Sequence, residues 1–186
     1  MITKVGHRIE PGPCRIDVPA GALVVLIGAA ASGKSTFAAA HFVADCIVSS
    51  DQLRTRSPAV SDEVVFAELH QSSQARLAAG LVVVVDATNT DWMWRAALLT
   101  DARRHGRPAI AIVFHLPLEV CLARNAARSR TVPASVIRRQ VADVTQDVER
   151  LDLEGFAAVY ILRSVAAVDA VSVDMEEGPA TRALDA

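Results

Sequence analysis

The chain has 186 residues and a formal net charge of −2, so no global positive field draws it to nucleic acid, and a grip on a strand end needs a local patch. Its 52% apolar share with only 4% aromatics suits a parallel sheet covered by helices, and no apolar run is long enough to cross a bilayer. Cys14, Cys46 and Cys121 are odd in number and form no Cys-x-x-Cys pair, which implies buried free thiols in a reducing compartment rather than a metal or redox centre. The first residues lack the apolar block of a signal peptide, so the expected location is cytoplasmic.

Taken in order, Pro13 and Pro19 bracket a short alternating piece, read as an edge strand over 13–18 leading into a core over 20–165. The run Leu23-Val24-Val25-Leu26-Ile27 predicts a buried strand. It enters Gly28-Ala29-Ala30-Ala31-Ser32-Gly33-Lys34-Ser35, and Thr36 onward has helical composition to about Val43. A buried strand, a glycine loop and a helix start in that order make a phosphate-binding loop. Gly28 and Gly33 let the backbone turn tightly. The loop amides and the helix N-terminus converge on an anion. Lys34 is suited to the β- and γ-phosphates of a nucleoside triphosphate, and Ser35 to Mg²⁺. Residues 28–36 are therefore the expected nucleotide-contacting set.

A second strand at 46–49 ends in Ser50-Asp51-Gln52-Leu53-Arg54, and a polar connection leads to a helix over 62–79 with Gly80 at its C-cap. The third strand, 81–86, runs into Ala87-Thr88-Asn89-Thr90 and a helix over 91–106. The fourth, 109–114, leads through Pro117 to a helix over 118–128. A further helix is expected over 133–153, a fifth strand over 158–162, and an edge strand within 164–174. The acidic stretch 176–186 is expected to be a disordered tail, leaving residues 1–175 as a single domain. This alternation predicts an α/β fold, a doubly wound parallel sheet flanked by helices. Such sheets bind ligands at the carboxyl ends of their strands. The polar residues to weigh are thus 28–35, Asp51 to Arg54, Asp86 to Asn89, and His115.

Asp51 and Arg54 share one face if the segment turns helical at once. There Asp51 can accept the proton of an attacking hydroxyl and Arg54 can hold an acceptor phosphate; the alternative is a helix cap beside a surface arginine. Asp86 suits Mg²⁺, directly or through water, or else caps a turn, while Thr88 and Asn89 suit fixing that turn. Arg124 and Arg128, four apart, project from one helix face and suit a lid that stabilises charge on a transferring phosphoryl group, with a solvated basic face as the alternative. Arg138 and Arg139 read as surface charge, with contact to a nucleic-acid backbone as the alternative. His41, His70 and His115 read as core or boundary residues, and Trp92 and Trp94 as packing or surface residues rather than stacking platforms.

Together the Gly28–Ser35 loop, Ser49-Ser50-Asp51-x-x-Arg54, Asp86-Ala87-Thr88-Asn89, Cys121-Leu-Ala-Arg124-Asn-Ala-Ala-Arg128, Val132-Pro133 and Leu153-Glu154-Gly155-Phe156 resemble, in that order, the 5′-OH polynucleotide kinase domain of bacterial RNA end-healing and end-sealing enzymes. The resemblance covers roughly 20–165. It implies a P-loop phosphotransferase with an arginine-bearing lid, ATP and Mg²⁺ as cofactors, and RNA or DNA 5′-OH ends as acceptor. It further implies that Lys34 and Ser35 handle ATP and Mg²⁺, Asp51 is the general base, Arg54 binds the phosphate next to the acceptor hydroxyl, and Arg124 and Arg128 reach the donor phosphates. Phosphatase and ligase modules would then be partners. The segment between Arg54 and Phe66 is short for the family, and the lid after Arg128 is tightened around Arg130. A kinase of a small-molecule hydroxyl and a nucleotide-gated binding module remain the alternatives.

Overall fold

Strand β2 (Leu23–Gly28) lies at the centre of the molecule because Leu23 to Ile27 have no polar face to turn to water; each is at most 1% exposed. The computed structural model describes residues 15–56 and 61–176. In chain order the elements are β1 (Arg15–Val18), β2, α1 (Lys34–His41), β3 (Ile47–Ser49), α2 (Ser50–Arg56), α3 (Asp62–Ala78), β4 (Val83–Asp86), α4 (Trp92–Arg104), β5 (Ala109–Phe114), α5 (Leu118–Ala126), α6 (Ala134–Asp147), β6 (Ala158–Leu162), α7 (Val165–Asp169) and β7 (Ser172–Met175). Single 3₁₀ turns stand at Ala44–Cys46 and Leu151–Glu154.

Five strands form a wholly parallel sheet in the order β3-β4-β2-β5-β6. Successive side chains of β2 point to opposite faces. Leu23, Val25 and Ile27 meet Leu69 of α3, Leu98 and Leu99 of α4 and Val144 of α6. Val24 and Leu26 meet Phe37 and Ala38 of α1 on the other face. The sheet is covered on both sides, the doubly wound α/β arrangement expected. Strand order reverses at β2, so the crevice at its carboxyl end is where such a sheet receives a ligand. No helix among the described residues is long and apolar enough to cross a membrane.

Three elements differ most from the sequence reading. Residues 164–174 do not form one edge strand: Ser164 accepts a hydrogen bond from the Ala167 amide and caps α7, and only Ser172–Met175 is extended. That strand pairs in parallel with β1 in a separate two-stranded sheet, so neither borders the main sheet. The helix expected to reach 153 stops at Asp147, and the chain tightens into the 3₁₀ turn before Gly155 at φ 103°. The strand expected from 81 begins at Val83, because the Leu81 amide donates to Arg76 O and Gly80, at φ 76°, closes the end of α3. Residues 13 and 14 of the expected edge strand, Cys14 among them, and 177–186 of the expected tail lie outside the described residues. Cys46 is half-buried and Cys121 buried, both as free thiols.

Candidate active site

The loop between β2 and α1 is built for an anion. Gly33, the N-cap of α1, sits at φ 103° and no side chain caps the helix, so its first amides face outward. Ala31 also has positive φ, 63°, a conformation that costs a side chain about 1–2 kcal/mol. Gly28 leaves no alternative residue: a Cβ there would lie 2.9 Å from both Phe114 Cβ and Ser32 Oγ. Three braces hold the loop. The Gly28 amide donates to Thr88 O at 2.9 Å, the Ala30 amide to Gln140 Oε1 of α6 at 2.8 Å, and Arg124 Nη1 to Ser32 O at 3.0 Å.

Lys34 is 7% exposed, and its ammonium donates to Gly28 O at 2.9 Å, Ala29 O at 2.8 Å and Ser32 Oγ at 3.4 Å. Burial pulls its pKa down to about 8, with Asp86 and Asp51 pulling it back up and Arg128 adding to the fall. Asp86, Asp51 and Arg128 therefore each lie within electrostatic reach of Lys34. The folded chain holds this proton less tightly than the unfolded chain does, so stability should rise as pH climbs from about 8 to the ordinary lysine value of 10.5. Bound phosphates favour the ammonium, so nucleotide affinity should fall over the same range. Denaturant melts and calorimetric titrations across that range check both; a stability rise that persists in Lys34→Met would contradict the assignment.

Asp86 is buried at the end of β4, between Leu26 of β2 and Ser49 of β3, and Ser49 Oγ donates to it at 3.3 Å. Ser35 is exposed at the start of α1. The two residues fit the Mg²⁺ expected with the nucleotide: one exposed hydroxyl and one buried carboxylate suit an ion that keeps most of its water. Among the described residues no cluster of three His, Cys, Asp or Glu forms a closed metal cage.

Thr88 and Asn89 fix the turn after β4. Asn89, 3% exposed at φ 49°, sends its side-chain amide to Leu26 O at 2.8 Å. Asn89→Ala should lower the unfolding free energy by about 2–3 kcal/mol, from the lost bond and the left-handed backbone. An unchanged thermal midpoint would contradict that account.

The acceptor-side pair is open. Asp51 lies in the first turn of α2 with its side chain 78% exposed, and Arg54 reaches it only at 3.4 Å. Arg54 turns mainly to Asp62 of α3, at 2.9 Å. The lid segment is short and pinned: the Asn125 side chain donates to Val132 O and accepts from the Val132 amide, both at 2.9 Å. Arg124 is half-buried under it and Arg128 exposed upon it. Both arginines line a cavity of about 550 Å³ with Gly33, Thr36, His41 and Asp169. That volume suits a small ligand.

Sequence reasoning misses Gln140 and Asp169; no spacing marks a lone amide on an amphipathic helix, and Asp169 falls where an edge strand is expected. The remaining candidates take ordinary places. His41 packs on Phe37 at 4.4 Å and edges the cavity. His70 faces Asp101 at 3.5 Å. His115 accepts from Arg163 at Nδ1 and contacts Thr145 Oγ1 at 3.1 Å. Trp94 stacks on Phe66 at 4.4 Å while Trp92 is 62% exposed. Arg130, Arg138 and Arg139 are exposed.

A family model described as an AAA domain matches residues 23–151, from the first residue of β2 to the 3₁₀ turn before β6. The chain belongs to the AAA domain family. No curated protein matches this AAA-domain chain in sequence. In three dimensions it is similar to a gluconokinase from Sinorhizobium meliloti 1021, with TM-score 0.52 and 16% identity over 82% of this chain and 92% of that one. It is also similar to a sugar kinase from Janibacter sp. HTCC2649, with TM-score 0.53 and 23% identity over 76% and 84%. The likeness to a Pnkp1/Rnl/Hen1 complex is slighter, with TM-score 0.49 and 25% identity over 61% of this chain and 42% of that chain. The AAA-domain chain thus has the fold of P-loop kinases.

Proposed function

We propose that the chain is an ATP- and Mg²⁺-dependent kinase that phosphorylates the 5′-hydroxyl of RNA or DNA in nucleic-acid repair, with phosphatase and ligase modules as partners. The observation that carries the reading is an uncovered carboxylate, Asp51, within electrostatic reach of Lys34 in the phosphate loop. Lys34 and the first amides of α1 bind the donor phosphates, and Arg124 and Arg128 meet them from the lid. Ser35 would hold Mg²⁺ and Asp86 would do so through water; when bound, the ion supplies neutralisation of phosphate charge. Asp51 takes the proton of the acceptor hydroxyl as that oxygen bonds the γ-phosphorus and ADP departs. Arg54 orients the phosphate beside the hydroxyl. The polynucleotide acceptor rests on the likeness of Ser49-Ser50-Asp51-x-x-Arg54 to the end-healing kinases.

A second reading, a small-molecule hydroxyl as acceptor, is favoured by one observation: Arg54 is engaged by Asp62, a partner that an acceptor phosphate must displace. Transfer of labelled γ-phosphate from Mg²⁺-ATP to matched 5′-OH RNA and DNA oligonucleotides, with gluconate, sugars and nucleosides alongside, separates the two. Labelled oligonucleotide ends support the proposal. Label on a small hydroxyl moves the acceptor. ATP binding that no hydroxyl converts to turnover leaves a nucleotide-gated binding module.

A further inference from the structure

Arg95 of α4 heads the fully buried side chains by size, at 0% exposure, and nothing in the chemistry above employs it. A guanidinium donates through all three of its nitrogens, and each of the three has a partner here. Nε donates to Glu154 Oε2 at 2.8 Å, and Nη2 to Glu154 Oε1 at 2.5 Å and Asp147 Oδ2 at 2.8 Å. Nη1 donates to two successive carbonyls, Asn89 O and Thr90 O, both at 3.0 Å. Its partners come from the end of α6, the 3₁₀ turn and the turn after β4.

For stability alone, a buried ion pair is no better than well-packed apolar side chains of the same volume. What no apolar residue can do is hold the carbonyls of Asn89 and Thr90 in one orientation while Asn89 itself sits at φ 49°. From that turn two bonds run to the end of β2: Asn89 Nδ2 to Leu26 O at 2.8 Å, and the Gly28 amide to Thr88 O at 2.9 Å. Gly28 opens the phosphate loop. The path from Glu154 through Arg95 and residues 88–90 to Gly28 is therefore continuous.

We infer that Arg95 is a positioning residue for the phosphate loop, with Glu154 and Asp147 as the anvil that fixes its guanidinium. It touches neither nucleotide nor acceptor; it sets the turn, and the turn sets Gly28. The inference rests on nucleotide binding at the loop and is indifferent to which hydroxyl receives the phosphate. It also accounts for Leu153-Glu154-Gly155-Phe156, since Gly155 in its left-handed conformation ends the 3₁₀ turn that presents Glu154.

The test compares Arg95→Lys, which keeps the charge but loses the fork, with Leu98→Ala, which damages the core one turn along α4 and removes none of the hydrogen bonds of residues 88–90. Binding of Mg²⁺-AMP-PNP is measured by calorimetry, well below each thermal midpoint. Arg95→Lys should weaken binding about tenfold, while Leu98→Ala leaves it within about twofold even where its midpoint is lower. Glu154→Gln, which keeps Arg95 and one acceptor, should fall between and serves if Arg95→Lys does not fold. Equal weakening in Leu98→Ala, or unchanged affinity in Arg95→Lys and Glu154→Gln, would overturn the inference. Hydrogen exchange gives an arm free of nucleotide. The Gly28 amide should exchange faster in Arg95→Lys and Glu154→Gln while β5 keeps its protection, and an unaltered Gly28 amide also overturns it.

Discussion

Lys34→Met lowers phosphoryl transfer by roughly a thousandfold or more while leaving the thermal midpoint close to that of the parent; this is the expected result on which the phosphate loop stands or falls. The two halves have different causes. Losing the ammonium removes a positive charge from the transferring phosphoryl group, where charge is worth most because water is excluded. Stability moves little because two effects oppose each other. Methionine is unbranched, fills much the same space, and carries no charge to desolvate, a cost made visible by the fall of the lysine pKa to about 8. Against that gain, Gly28 O and Ala29 O lose the ammonium's hydrogen bonds, and Ala29 O keeps only the one from the Ser32 amide. Transfer assays with thermal melts check both halves. Turnover within tenfold of the parent would remove Lys34 from the chemistry.

Asp51→Asn is the second large effect. The variant should transfer phosphate about 10²–10⁴-fold more slowly, with the KM for ATP unchanged. The amide keeps the shape of the carboxylate but cannot take the acceptor's proton. The fold should not notice, because the side chain is 78% exposed and its ion pair with Arg54 is long and solvated. A variant that melts with the parent, binds ATP with the parent and fails to transfer would tie Asp51 to the acceptor. Full turnover would return it to being an acidic residue in the first turn of α2.

The parts legible in the sequence are those where one local signal dominates. Ala109–Phe114 is legible to the residue because Pro108 and His115 bound an unbroken apolar run between them. The phosphate loop is legible because strand, glycines and lysine are contiguous. Residues 164–174 mislead because Val165-Ala166-Ala167-Val168 has no period that distinguishes helix from strand, and Ser164 as a cap decides it only through geometry. The end of α6 misleads because Val148 and Leu151 continue the helical spacing of Val144, although the chain there tightens to deliver Glu154. Arg95 is invisible for a stronger reason. A charged residue among Trp92, Met93 and Trp94 reads as the polar side of a helix, and only carboxylates brought from α6 and the 3₁₀ turn make burial possible. Gln140 belongs to the same class: its partner, the Ala30 amide, is far away in sequence.

The small sheet of β1 and β7 sets the order in which the molecule can be completed. Strand β1 contributes Ile16 and Val18 to the same cluster as Val24, Leu26 and Phe37, yet its hydrogen-bonding mate is the last strand described. During synthesis β1 leaves the ribosome before the main sheet and stays without that mate until everything between them has been made. Closing so long a loop is entropically costly and late. Until then one face of the sheet carries an unfinished cover, a surface to which a chaperone or a second nascent chain has access.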